Sequence, residues 1–244
     1  MTTHIQGLKR SNMMRFNRAI SAVKVISFDL DDTLYDNRPI IKNAIKAQQD
    51  YLAAIPEWVA QRGDFWRTCR NGYAQEHPEI INDVTLWRKK ALLWGLEKLK
   101  VDNAAFHAEQ AYNAFAKARS DIEVAPEVIN LLSALRKKYK VIAITNGNVD
   151  VSLFNLKDSF DLVLQAGPHG KAKPASDMFD LACQQLGVNL NEILHVGDSL
   201  DSDVQGANNA GCYSVWLENT FVPYRYNGLA HLDISDIFDL RNFL

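Results

Sequence analysis

Two aspartates, Asp29 and Asp31, follow a short run rich in β-branched residues, Val23 to Phe28, within Phe28-Asp29-Leu30-Asp31-Asp32-Thr33-Leu34. If the extended backbone continues, residues two apart share a side, so both carboxylates point the same way. A carboxylate can attack phosphorus, dividing phosphoester hydrolysis into transfer to the protein and a later attack by water. The second carboxyl group can protonate the leaving oxygen and then deprotonate that water. Asp32, facing the other way, reads as a solvated group or a local hydrogen-bond acceptor.

Two carboxylates facing a phosphate dianion would repel it, so the chemistry calls for a hard cation with oxygen ligands, which is what magnesium prefers. A third carboxylate is available in His195-Val196-Gly197-Asp198-Ser199-Leu200-Asp201-Ser202-Asp203. Asp198 is the expected ligand; Asp203 either ligates or orients its neighbours, and Asp201 reads as a helix cap. Thr145, Asn146 and Gly147 offer a hydroxyl and backbone N–H groups for phosphoryl oxygens. Lys173 can offset the charge gathered at the site, a role for which Lys171 competes. His169, in Gly167-Pro168-His169-Gly170, is a candidate for substrate contact.

These residues need a scaffold that brings distant segments to one edge. Val23 to Phe28 reads as a buried strand. From Pro39 to about Ala118 apolar residues recur at helical spacing: Ile41, Ala44, Ile45 and Leu52, then Trp87, Ala91 and Trp94, then Phe106, Ala111 and Phe115. After Pro126 the pattern alternates: helix from Glu127 to Lys138, strand Val141 to Thr145, helix from near Asp150 to Leu156, strand Leu162 to Gln165 and helix Ser176 to Leu186. Strand Ile193 to Val196, a helix from about Asp201 to Ala210 and strand Tyr213 to Leu217 complete it. Such alternation implies right-handed βαβ units, hence an α/β, doubly wound parallel sheet whose strand ends carry the motifs, interrupted after its first strand by an all-helical insertion. Of the five tryptophans, Trp58, Trp66, Trp87 and Trp94 fall in that insertion. They could stack on a planar ring, but core packing of a small helical domain is the stronger expectation.

Bulk properties narrow the partners. With 27 Lys and Arg against 29 Asp and Glu, nothing points to nucleic acid, and a small-molecule phosphomonoester is the expected partner. The three cysteines, Cys69, Cys183 and Cys212, suit neither a disulfide framework nor a thiolate zinc site and fit a reducing cytoplasm. No apolar run approaches the ~18 residues of a membrane span. Ile20 to Phe28 is broken by Lys24 and runs into Asp29, so it reads as a strand and not as an export signal. The residues before Ser21, which include Lys9, Arg10, Arg15 and Arg18, are expected to be a loose tail, with Met13 or Met14 as a possible start of the native chain. The expected state is a monomer or weak homodimer.

Taken in order, Asp29-x-Asp31-x-Thr33, Thr145, Lys173-Pro174 and Gly197-Asp198-x-x-x-x-Asp203 resemble the four motifs of the haloacid-dehalogenase (HAD) superfamily, over about Val23 to Leu217. The resemblance implies a HAD-like Rossmannoid core, residues 21–37 and 124–244, and an inserted helical cap of C1 type, residues 38–123, behind a tail of residues 1–20. It further implies that Asp29 is the nucleophile and Asp31 the acid/base. Asp29, Asp198 and the Asp31 carbonyl would hold Mg2+, with Asp203 a ligand or support. Asp29 to Pro39 (DLDDTLYDNRP), Ala143 to Asn148 (AITNGN) and Glu192 to Asp198 (EILHVGD) resemble a bacterial flavin-pathway type within that superfamily. So do Ala166 to Gly170 and the segment from Lys173 to Met178. Its phosphatases act on FMN and on 5-amino-6-(5-phospho-D-ribitylamino)uracil.

Overall fold

A computed structural model describes residues 14–218 and 229–244 of the chain. Its strands are β1 (Arg15–Phe16), β2 (Val25–Phe28), β3 (Lys140–Thr145), β4 (Leu162–Gln165), β5 (Ile193–Gly197), β6 (Tyr213–Leu217) and β7 (Leu232–Ile234). They form one sheet in the order β1-β7-β6-β5-β2-β3-β4. Every described pairing is parallel except that of β1 with β7. The order doubles back around β2, which lies between β5 and β3. In open α/β sheets, ligand crevices form outside the carboxyl ends of strands at such a reversal.

The period of two along each strand sends side chains alternately to two apolar layers. Ile26, Phe28, Val141, Ala143, Leu194 and Val196 join one layer, built with helix α6 (Pro126–Leu135) and the C-terminal segment around Leu240. Val25, Ile142, Ile144, Leu164 and Ile193 join the other, under α7 (Asp177–Leu186) and α8 (Gln205–Ala210). β2 is buried along its whole length, as a central parallel strand must be.

Between β2 and β3 lie five helices with a core of their own: α1 (Asn37–Leu52), α2 (Pro56–Val59), α3 (Phe65–Glu76), α4 (Val84–Lys98) and α5 (Ala104–Arg119). Leu52, Trp66, Cys69, Leu92, Leu96 and Ala111 meet there, with Trp58, Trp87 and Trp94 packed against them. Asp36, Asp64 and Asp83 cap α1, α3 and α4 by accepting backbone N–H groups in the first turn. Where the chain returns to the sheet, Asn155 clamps it: Oδ1 accepts from the Val124 N–H at 3.0 Å and Nδ2 donates to the Val124 carbonyl at 2.8 Å.

Three expectations need correction. The segment before Ser21 is not a loose tail where it is described: Arg15–Phe16 adds an antiparallel edge strand. Arg15 Nε donates to Asp233 at 3.0 Å and Asn17 Nδ2 to the same carboxylate at 2.9 Å. A two-residue strand carries no periodicity to read, and its partner is 218 residues away. Residues 1–13, with the alternative start at Met13, lie outside the described residues. The helix expected from Asp150 to Leu156 is only a 3₁₀ turn, Val151–Leu153, because Phe154 and Leu156 are drawn into the sheet's core from extended and turn positions. The helix expected from Asp201 begins as a wide π turn, Leu200–Val204, before α8.

Candidate active site

Three carboxylates from two strand ends converge at the reversal point. Asp29 follows β2, and its N–H continues the ladder by donating to the Val196 carbonyl at 2.9 Å. Asp198 follows β5 and is held by its backbone, whose carbonyl accepts from Trp216 Nε1 at 3.0 Å. Asp203 lies in the wide turn that follows. One carboxylate oxygen from each of Asp29, Asp198 and Asp203 falls within 4.8 Å of the others, the only such grouping of potential metal ligands among the described residues. Three hard oxygen donors in one place fit a magnesium ion and would suit neither a thiolate-loving nor an imidazole-loving metal.

Lys173 lies beneath them with its side chain fully buried. Its Nζ donates to Asp29 Oδ1 at 3.0 Å, to Asp203 Oδ1 at 2.6 Å and to the Ile144 carbonyl at 2.5 Å. Asn146 fixes the loop that carries it, accepting from the Lys173 N–H at 2.7 Å and donating to the Lys173 carbonyl at 2.9 Å. Lys171 makes no such contact; its N–H donates to Asp177 at 3.3 Å. The structure thus brings Lys173, the lysine expected from Lys173-Pro174, and not Lys171 to Asp29.

The charges do not balance evenly. Burial pushes the Asp29 carboxyl up to about 8, a rise that Lys173 opposes and Asp203 reinforces. Burial would raise Asp203 too, but Lys173 and the hydrogen bond from His195 override it and hold Asp203 below the usual carboxylate range. Burial alone would lower Lys173, yet Asp203 and Asp29 keep it above its ordinary value. Lys173 and Asp203 thus form the settled ion pair, and Asp29 carries the charge most in need of a further cation.

Asp203 uses both oxygens within the protein. Oδ1 faces Lys173 and lies 3.3 Å from His195 Nε2, while Oδ2 accepts from the Ser199 N–H at 3.0 Å. Gly197 makes room for it, since a Cβ there would sit 2.3 Å from the Asp203 carboxyl carbon.

Asp31 stands apart from that grouping, facing the helical insertion. It accepts from Tyr35 Oη at 2.7 Å and from Arg119 Nη2, which is 2.6 Å from each of its oxygens. Gly147 passes so close that a Cβ would meet Asp31 Oδ2 at 2.6 Å. Thr145 is fully buried, and its Oγ1 accepts from the Gly147 N–H at 2.9 Å, which shapes the turn after β3. Asp32 is the local acceptor its position suggested, taking the Asn37 N–H at 2.9 Å.

A cavity of about 330 Å³ opens beside these groups. Asp31, Asn146, Gly147 and Asn148 line it from the sheet, and Arg70, Trp87, Arg88, Phe115 and Arg119 from the helices. His169 is not among its lining residues. Its Nδ1 accepts from the Gln165 N–H at 2.9 Å and its own N–H donates to the Gln165 carbonyl at 3.1 Å, so it closes the turn after β4. Both local hydrogen bonds tie this histidine to its own strand.

A family model for haloacid dehalogenase-like hydrolases matches residues 23–211. The chain belongs to this family. It is 40% identical over 241 residues to the 5-amino-6-(5-phospho-D-ribitylamino)uracil phosphatase YigB of Escherichia coli, covering 95% of this chain and all of that protein. It is 35% identical over 230 residues to the pyrimidine 5'-nucleotidase YjjG of the same organism, covering 90% and 96%. Among solved structures, a 2-haloacid dehalogenase from Pseudomonas syringae superposes with a TM-score of 0.83 at 30% identity, covering 90% of this chain and 97% of that one. These likenesses agree with the HAD-like sheet and its strand-end carboxylates.

Three residues of this HAD site escaped the sequence reading. His195 pairs in register with Ser27, whose Oγ lies 2.8 Å from His195 Nδ1; burial, with Lys173 adding to it, pushes the imidazole down to about 4 and leaves it neutral. The signal was present, since Ser27 and His195 are polar residues inside otherwise apolar strands. Arg119 gave no such signal, because only the folded chain brings it across 88 positions to Asp31, and Tyr35, four residues from Asp31, sits in a turn with no periodicity to read.

Proposed function

We propose that the chain is a magnesium-dependent phosphomonoesterase that works through a phosphorylated Asp29 and acts on FMN, on 5-amino-6-(5-phospho-D-ribitylamino)uracil, or on both. The carboxylate grouping of Asp29, Asp198 and Asp203 around buried Lys173 carries the reaction class. The 40% identity to YigB over nearly the whole chain supports the substrate.

In this reading an Asp29 oxygen attacks phosphorus, forming the O–P bond as the ester oxygen departs. Asp31 protonates that oxygen. It then takes a proton from water, which attacks the phosphorus of the acyl phosphate, regenerates Asp29 and releases inorganic phosphate. The Thr145 hydroxyl, whose oxygen accepts from the Gly147 N–H, and the Asn146 N–H hold the phosphoryl oxygens in this reading. Lys173 offsets charge on Asp29 and stays paired with Asp203, which orients the lysine. Magnesium, when held by Asp29, Asp198 and the Asp31 carbonyl, supplies positive charge against the phosphoryl oxygens. The helical insertion, residues 38–123, is the cap that covers the leaving group and excludes water.

Asp29→Asn tests the nucleophile. Phosphate release from p-nitrophenyl phosphate with magnesium should fall by at least about 10³-fold while the far-ultraviolet circular dichroism is retained. Near-normal turnover would overturn the assignment. The substrate is tested by comparing kcat/KM for FMN, the ribitylaminouracil phosphate, sugar phosphates and pyrimidine nucleotides. A clear lead for nucleotides would favour the activity named for YjjG, and a lead for sugar phosphates a broader metabolite phosphatase.

A further inference from the structure

The cavity between sheet and insertion is lined by two side chains, Arg119 and Asn37, each with a buried polar atom that the catalytic reading does not use. Arg119 is 2% exposed and directs Nη2 at Asp31, yet its other terminal nitrogen, Nη1, is buried with no hydrogen-bond partner among the described residues. Asn37 Oδ1 is likewise buried and unpartnered, although the Asn37 N–H is engaged by Asp32. Both side chains line the same cavity as Asp31. One atom can only donate and the other can only accept. Leaving a charged donor unmade costs more than leaving a neutral one, so a ligand supplying both partners would be strongly preferred.

We propose that Arg119 and Asn37 form a leaving-group subsite that reads a hydroxyl on the carbon adjacent to the phosphoester carbon. A hydroxyl is a small group whose chemistry matches both atoms, able to accept from Arg119 Nη1 and donate to Asn37 Oδ1. A second phosphate or a carboxylate would satisfy the arginine but place an acceptor against the asparagine oxygen. Because Arg119 already holds Asp31, a hydroxyl bound there sets the leaving oxygen relative to the acid/base. The preferred substrates are therefore polyol phosphates, of which a ribityl phosphate is one. Arg88, which also lines the cavity, lies over the Phe115 ring at 3.6 Å and donates to Gln48 Oε1 at 2.8 Å, so it is committed to the insertion's own packing and takes no part in this reading.

The inference rests on the phosphatase reading, and the test separates the two. With magnesium present, kcat/KM is measured for D-ribitol 5-phosphate, its 4-deoxy analogue and p-nitrophenyl phosphate, in the native protein and in the Asn37→Ala and Arg119→Lys variants. The native protein should favour the hydroxylated substrate over the deoxy analogue by about 10- to 100-fold, the range for a hydrogen bond to a charged group. Each variant should lower that ratio by about tenfold or more, whatever happens to its turnover of p-nitrophenyl phosphate. A native protein that treats the two ribityl substrates alike overturns the inference even if neither variant folds. So does a ratio unchanged in a folded variant. Failure to hydrolyse any of the three phosphates would overturn the phosphatase reading.

Discussion

Asp29, Asp203 and Lys173 share a volume from which solvent is nearly excluded, and two carboxyl groups there meet one ammonium. Removing the ammonium leaves both carboxylates buried without compensation, whereas removing Asp29 leaves a matched pair. Lys173→Met should therefore lose about 3–5 kcal/mol of stability, the usual cost of breaking a buried ion pair from one side. Urea denaturation would show it, and Asp29→Asn should be far milder in the same measurement. Gly197→Ala belongs at this scale too. A methyl group 2.3 Å from the Asp203 carboxyl carbon must displace that side chain and, through it, Lys173. We expect kcat to fall by about tenfold or more, because small misplacements of positioning groups are costly. A native-like kcat would show that Asp203 does not need its present position.

At the scale of elements, the sheet's outer edge depends on the short β1 strand. Asp233 on β7 is 1% exposed and receives Arg15 and Asn17, both from the segment that precedes β2. Asp233→Ala should lower stability by about 2 kcal/mol, the scale of hydrogen bonds to a charged group. Removing residues 1–17 should cost a similar amount by leaving Asp233 buried without those donors, and chemical denaturation of the two variants checks this. The arrangement also explains why the loose-tail expectation failed. Hydrophobic periodicity reports a strand when several alternating residues bury one face, and two residues at an edge give too little pattern to detect. The helices of the insertion were legible for the opposite reason, since Trp87, Ala91 and Trp94 repeat at helical spacing over several turns.

For the whole molecule, the question is how the insertion and the sheet come to share one site. Arg119 closes the last turn of α5 and reaches Asp31 just before the chain returns through the Asn155 clamp at Val124. The guanidinium thus links the position of the helices to the proposed acid/base. The proposed metal dependence also belongs to the assembled strand ends, where Asp29, Asp198 and Asp203 meet. Dialysis against EDTA should abolish turnover of p-nitrophenyl phosphate, and magnesium should restore it. Activity that survives full chelation would overturn the proposed metal dependence. Among the described residues no helix is long and apolar enough to cross a membrane.

The chain's own order of residues determined the alternating strands and helices, the helical insertion after the first strand and the strand-end location of Asp29, Thr145 and Asp198. Those features follow from local periodicity and from residue types confined to short windows. Tertiary structure decided matters of distance: that Lys173 rather than Lys171 meets Asp29, that Asp203 spends its oxygens on Lys173, His195 and the Ser199 N–H, and that His169 folds back on Gln165. It also brought Arg119 to Asp31. The contacts of Lys173 and Arg119 join segments far apart in sequence, while those of His169 with Gln165 and of Asp203 with Ser199 and His195 depend on the shape of local turns, which periodicity does not report.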